Sequence, residues 1–110
     1  MAMPQTVEEI FNTLPGRLKA EEAAGLTSVF HFKISGPTGG DYTVALADNV
    51  CTVSKGLEGS AKCTVSMSDE TYVKVETGQS APEMAFMMGK IKVDNIPELM
   101  KFMKLFRKLS

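Results

Sequence analysis

The chain has no tryptophan, a single histidine, two tyrosines and two cysteines among its 110 residues. Each scarcity removes a class of function. With one histidine, any histidine-dependent catalytic arrangement must pass through His31, which shares its side of a strand pattern with Lys33, opposite Phe30, Phe32 and Ile34. It is expected to be an exposed strand residue. Cys51 and Cys63 are too few for the disulfide framework of a small secreted domain, and with His31 they stand at none of the usual zinc spacings. They are expected to be buried thiols in a reducing compartment. No run approaches the roughly 18 apolar residues of a membrane span. The opening Met1-Ala2-Met3-Pro4-Gln5 lacks the charged and apolar parts of a signal peptide, and Lys108-Leu109-Ser110 is not a Ser-Lys-Leu peroxisomal address. Cytoplasm is the expected location.

Charge is scarce as well. A formal net charge of −1 argues against a general polyanion binder. The balance is uneven, however: from Lys90 onward six cations meet two anions, a local +4, so the preceding residues carry −5. The basic end lacks the interleaved aromatics of a single-strand binder, and its charge is too small for a duplex reader, so no nucleic acid is expected. No phosphate-cradling glycine pattern precedes a helix. The pairs Glu8-Glu9, Glu21-Glu22 and Asp69-Glu70 diverge around a helix rather than share a site. Neither catalysis nor a cofactor or metal is expected.

What is present is a regular alternation of short elements, read as one domain over residues 1–110. Thr6 and Glu9 stand at capping-box spacing and open a helix with Val7, Ile10, Phe11, Leu14 and Leu18 on one stripe. Pro15 predicts a kink or break near Leu14, and the helix should run out by Gly25. Phe30, Phe32 and Ile34 alternate with polar neighbours in a half-buried strand, and Tyr42, Val44 and Leu46 repeat the pattern after a glycine-rich turn. Asp48-Asn49 turns the chain into a third strand at Val50 to Ser54, and Cys63, Val65 and Met67 alternate in a fourth. Such strands predict an antiparallel meander, wet on one face and covered on the other.

Ser68 and Asp69 cap a helix carrying Tyr72, Val73 and Val75, which stops at Gly78. Ser80 and Glu83 then stand at capping-box spacing around Pro82, opening a helix of Met84, Ala85, Phe86, Met87 and Met88 that Gly89 ends. With no charge among those five residues, the helix is expected to be buried on every side. A short edge strand, Lys90 to Val93, follows. Asn95 caps a last helix with Ile96, Leu99, Met100, Met103 and Phe106 at helical spacing. Phe102, Leu105 and Leu109 widen its apolar stripe beyond what one packing seam needs. Lys101, Lys104 and Lys108 line another side. They are candidates for contact with anionic membrane headgroups, and equally a solvated face complementing the helix dipole. Helices on one face of a mostly antiparallel sheet give an α+β layer fold.

The run Lys62-Cys63-Thr64-Val65-Ser66-Met67-Ser68-Asp69, then Gly78, then Ala85-Phe86-Met87-Met88-Gly89-Lys90-Ile91-Lys92-Val93, resembles the sterol carrier protein 2-like (sterol-binding) domain family. The family pattern has an apolar strand ending in Met-Ser/Ala-Asp and an Ala-Phe-x-x-Gly-Lys-Leu/Ile-Lys box. The likeness covers nearly the whole chain, and its second half carries the specificity. It implies a five-stranded, mostly antiparallel sheet with about five helices on one face. It further implies a lipid-sized tunnel between the layers, with the last helix as a movable wall. Two positions depart from the pattern. Met88 stands where relatives carry a polar residue, which removes a headgroup contact there. Asp94-Asn95 stands where relatives turn with glycine, and Asn95 is expected to take the left-handed backbone instead.

The expected function is binding, and in extension transfer, of a sterol, fatty acid or fatty acyl-CoA. Phe32, Ile34, Val44, Val65, Met84, Phe86, Met87, Met88, Leu99, Met100, Met103 and Phe106 are the expected lining. Six of eight methionines fall in the second half of the chain, and methionine's flexibility suits a wall that adapts to ligands of varied shape, as it also suits core filling. Two other readings stay open: a noncatalytic accessory module that presents acyl substrates to an enzyme, and a dimerising domain whose methionines seal an interface.

Overall fold

The computed structural model describes residues 6–19, 21–22 and 25–106. In chain order the elements are α1 (Val7–Arg17), β1 (Ser28–Ser35), β2 (Gly40–Ala47), β3 (Val50–Lys55), β4 (Cys63–Ser68), α2 (Asp69–Glu76), α3 (Pro82–Met87), β5 (Ile91–Val93) and α4 (Ile96–Lys104). Four helices are present among the described residues, one fewer than expected. The strands form one sheet in the order β3-β2-β1-β4-β5, antiparallel throughout except for the central β1–β4 pair.

Strand periodicity sets what faces the helices. Phe30, Phe32 and Ile34 of β1 lie beside Val44, Tyr42 and Gly40 of β2 and beside Cys63, Val65 and Met67 of β4. Alternation puts these on one side of the sheet and His31, Lys33 and Ser35 on the other. α1, α2 and α4 send the rings of Phe11, Tyr72 and Phe102 onto the inner face. Phe11 of α1 stacks on Tyr42 and Tyr72 at centroid distances of 4.2 and 4.9 Å and meets the edge of Phe32 at 5.3 Å. From α4, Phe102 sits 4.5 Å from Phe30 and 5.7 Å from Phe32. The space under the centre of the helical layer is therefore filled by rings.

Local chemistry explains the helix ends. Thr6 and Glu9 form the reciprocal capping box, and Ser68 and Asn95 accept from the backbone N–H three residues on. Both α2 and α3 close in Schellman motifs, with Gln79 N bonded to Lys74 O and Lys90 N to Ala85 O across left-handed Gly78 and Gly89. Asp48 and Asn49 both take positive φ in the β2–β3 turn.

Three local expectations need correction. α1 is not broken at Leu14 but continues through Pro15 to Arg17, because a proline so near the C-terminal end removes only the bond to the Phe11 carbonyl. It runs out before Gly25, as expected: Leu18 is extended and pairs with Phe106, and Lys19 N donates to Leu105 O at 2.7 Å. The Ser80–Glu83 box does not form; Ala81 is the N-cap and makes no side-chain bond. Pro82 explains the shift, since it occupies the first helical position and holds the preceding residue extended. Finally, Asn95 is not left-handed, with φ −146°.

The two cysteines are buried on strands separated by β2 and β1. Burial pushes each thiol up to about 11, so both remain protonated at neutral pH. His31 is half-buried on the outer face, with Nε2 2.8 Å from the carbonyl oxygen of Glu58. No helix among the described residues is long and apolar enough to cross a membrane.

Candidate functional site

The outer end of the sheet carries an open apolar groove of about 490 Å³, flanked by α3 and α4 with β5 between them. Three sequence features place its walls. β5 pairs antiparallel with β4, Val93 beside Val65 and Ile91 beside Met67, so Ile91 and Val93 face inward while Lys92 faces out. The left-handed Gly89 reverses the chain tightly enough for α3 to lie against the strand it precedes. The β5–α4 junction is pinned to β4 by four contacts. Thr64 N donates to Asp94 Oδ1 at 2.7 Å, Asp94 N to Thr64 O at 3.2 Å, Asn95 Nδ2 to Lys62 O at 3.0 Å and Cys63 Sγ to Asn95 O at 3.4 Å.

α4 carries two apolar stripes, and the groove accounts for the second. Phe102 and Leu105 pack in the core. Ile96, Leu99, Met100 and Met103, spaced over two turns, form the groove wall instead. Facing them are Pro82, Phe86 and Met87 of α3. Nine of the eleven lining residues are apolar; the charged pair, Glu83 and Lys104, belongs to the exposed surface. Such a surface is mainly hydrocarbon. What it offers is removal of hydrocarbon from water, at about 0.8 kcal/mol per CH₂ fully buried.

The methionine helix is the main departure from expectation. Only Ala85 is buried in α3, whereas Met87 is 80%, Met84 57% and Phe86 41% exposed. A six-residue helix at the sheet's outer edge has one residue beneath it and open space beside it. The expected lining residues accordingly separate into groups. Phe86, Met87, Leu99, Met100 and Met103 converge on the groove. Phe32, Ile34, Val44, Val65 and Phe106 are buried in the core cluster away from it. Met84 and Met88 are exposed without lining it. Sequence reasoning missed Pro82, Ile91, Val93 and Ile96, although the inward alternation of Ile91 and Val93 was a usable signal. Of the three lysines singled out, Lys104 borders the groove, Lys101 approaches Glu98 at 3.5 Å, and Lys108 lies outside the described residues. An apolar opening thus lies between α3 and α4.

Comparison with known proteins agrees with this architecture. Hydroxysteroid dehydrogenase-like protein 2 of Rattus norvegicus is 33% identical over 106 residues, covering 94% of this chain but only 20% of that protein. The chain thus spans about a fifth of that curated relative. Among solved structures, the stereoselective inverting sec-alkylsulfatase Pisa1 from Pseudomonas sp. contains a region of the same fold. Its TM-score is 0.82 at 22% identity, over 96% of this chain and 17% of that one. Palmitated SCP2L2 from Aedes aegypti matches along nearly its full length, with a TM-score of 0.68 and 23% identity over 90% of this chain and 91% of that one. A sequence profile extends the match over residues 9–107, and by it the chain belongs to the SCP-2 sterol transfer family.

Proposed function

We propose that the chain binds one long-chain lipid, a sterol, fatty acid or fatty acyl species, with its alkyl body in the groove between α3, β5 and α4. The observation that carries this reading is the groove's lining, nine apolar side chains left uncovered beside a buried aromatic core. Methionines at 80%, 55% and 42% exposure (Met87, Met100 and Met103) lie along it, flexible enough to follow ligands of different outline. The palmitated state of the Aedes aegypti neighbour supports a fatty acyl ligand. Delipidated protein is expected to take up a fluorescent fatty acid saturably, and native mass spectrometry of freshly purified protein should find one lipid per chain. Protein that binds no fatty acid and carries no lipid would refute the proposal.

A lipid shuttle also needs to meet the membrane that supplies its cargo. Lys101 and Lys104 stand on the exposed side of α4 beside the groove, where an anionic surface would attract them by about 1 kcal/mol each. Lys101→Glu with Lys104→Glu is expected to reduce co-sedimentation with phosphatidylserine vesicles; unchanged co-sedimentation would remove this docking mode.

A second reading is favoured by one specific observation. Both the rat relative and the Pseudomonas sulfatase are much longer proteins, of which this fold occupies 20% and 17%. The chain would then act as an accessory module that presents acyl or steroid substrates to an enzyme. A stable acyl-processing partner in a pull-down supports that role, and it uses the same groove.

A further inference from the structure

The uncovered face of the sheet has a second hollow of about 450 Å³, with a different chemistry. Strand register brings Lys33 of β1, Ser66 of β4 and Lys92 of β5 into one row, Ser66 lying between the two lysines. Two strand spacings put their backbones about 10 Å apart, close enough for two flexible ammonium groups to converge above the serine hydroxyl. Lys90, just before β5, adds a third cation, and Ser35 and Ser68 form the next row. The opposing charge is small. Asp41 lies beside Lys33 across the β1–β2 pair, and Glu70, near Lys90, is held by Lys74 at 2.9 Å. Three lysines against Asp41 leave the hollow at +2, and none of the three has an ion-pair partner among the described residues. An anion above Ser66 would attract both flanking ammonium groups and offset their mutual repulsion.

We propose that Lys33, Lys90 and Lys92, arranged around Ser66, bind a phosphate ester on the sheet face opposite the apolar groove. The two hollows are separated only by β5, a three-residue strand at the free edge of the sheet. Ile91 and Val93 face the groove, while Lys92 faces the phosphate site. A single ligand can therefore pass round that edge, with its alkyl chain on one side and its phosphate on the other. This lipid form of the proposal rests on the groove reading; capture of a free phosphate ester does not.

Three probes separate these cases: glycerol 1-phosphate, palmitate, and 1-palmitoyl lysophosphatidate below its micelle-forming concentration. Glycerol 1-phosphate is expected to shift the backbone amide resonances of Ser66 and Lys92 saturably, beyond sodium chloride of equal ionic strength. Lysophosphatidate should bind about tenfold tighter than palmitate, the gain of one charge-assisted contact. Lys33→Gln with Lys92→Gln should abolish both effects and leave palmitate affinity unchanged. A glycerol 1-phosphate response without a lysophosphatidate advantage supports the site and assigns it to free phosphate esters. Shifts no larger than those from sodium chloride, together with equal affinity for the two lipids, would overturn the proposal even in a protein that binds palmitate. If palmitate does not bind, the groove reading falls, and the glycerol 1-phosphate arm alone decides the site.

Discussion

Met87→Glu combined with Met103→Glu is expected to lower fatty-acid affinity by at least about a hundredfold, because an alkyl chain entering the groove would have to strip water from two carboxylates. The two residues face each other from α3 and α4, and both line the groove. Because Met87 is 80% and Met103 42% exposed, the substitutions bury no new charge there. Thermal or denaturant stability should stay within about 0.5 kcal/mol for each change, the usual range for surface positions. Met84→Glu is the matched control. It adds one carboxylate to α3, as Met87→Glu does, at a position 57% exposed and outside the groove, and it should leave affinity unchanged. A fluorescent fatty-acid titration of the three proteins reads the result directly. Equal losses in both variants would point to general electrostatics instead of the groove.

Phe11→Ala is expected to have the opposite profile, a large loss of stability with little change in affinity. Phe11 is fully buried and contacts three rings at once, stacked on Tyr42 and Tyr72 and edge-on to Phe32. Truncation leaves a cavity that these rings, held on two strands and a second helix, cannot close. The expected cost is about 4 kcal/mol, within the range for buried phenylalanine, with the lost ring contacts acting in the same direction. For a domain of this size that is a large share of a total stability of about 5–15 kcal/mol. Urea unfolding should show the unfolding free energy falling by that amount, as a lower midpoint at unchanged slope. Phe11 lines no part of the groove, so affinity measured well below the melting temperature should be retained. A loss of affinity matching the loss of stability would mean that the ligand enters the aromatic core after all.

The contrast between these variants follows the line between what the sequence made legible and what it did not. β1 and β2 were readable because alternation of Phe30, Phe32 and Ile34, and of Tyr42, Val44 and Leu46, has one explanation, a sheet covered on one side. Thr6, Ser68 and Asn95 were readable because a cap is a local bond between residues three apart. The methionine helix was misread because hydrophobicity records a preference to leave water, without saying what covers the side chain. Five uncharged residues looked like a buried helix, yet only Ala85 found protein beneath it. The capping residue was misplaced by one position because a serine–glutamate spacing was weighed above Pro82, whose fixed backbone sets where α3 begins.

The site shows the same division. That Phe32, Val44 and Val65 face inward was legible from period two. That Phe11, Tyr72 and Phe102 would fill the space against them depends on contacts between residues far apart in the chain, which no local pattern records. The surplus apolar positions on α4 were visible as too many for one seam, and they were the sequence's best indication of a second apolar surface. Family resemblance supplied the sheet and its helical cover and implied a tunnel between the layers; the groove between α3 and α4 opens beside α4.

The most direct measurement is a titration of delipidated, methyl-labelled methionine protein with palmitate, followed by NMR. Met87, Met100 and Met103 are expected to shift and to show intermolecular contacts with the chain methylenes, while Met67 and Met84 stay in place. Contacts confined to Phe32, Val44 and Val65, with the three groove methionines undisturbed, would contradict the assignment of the groove as the lipid site.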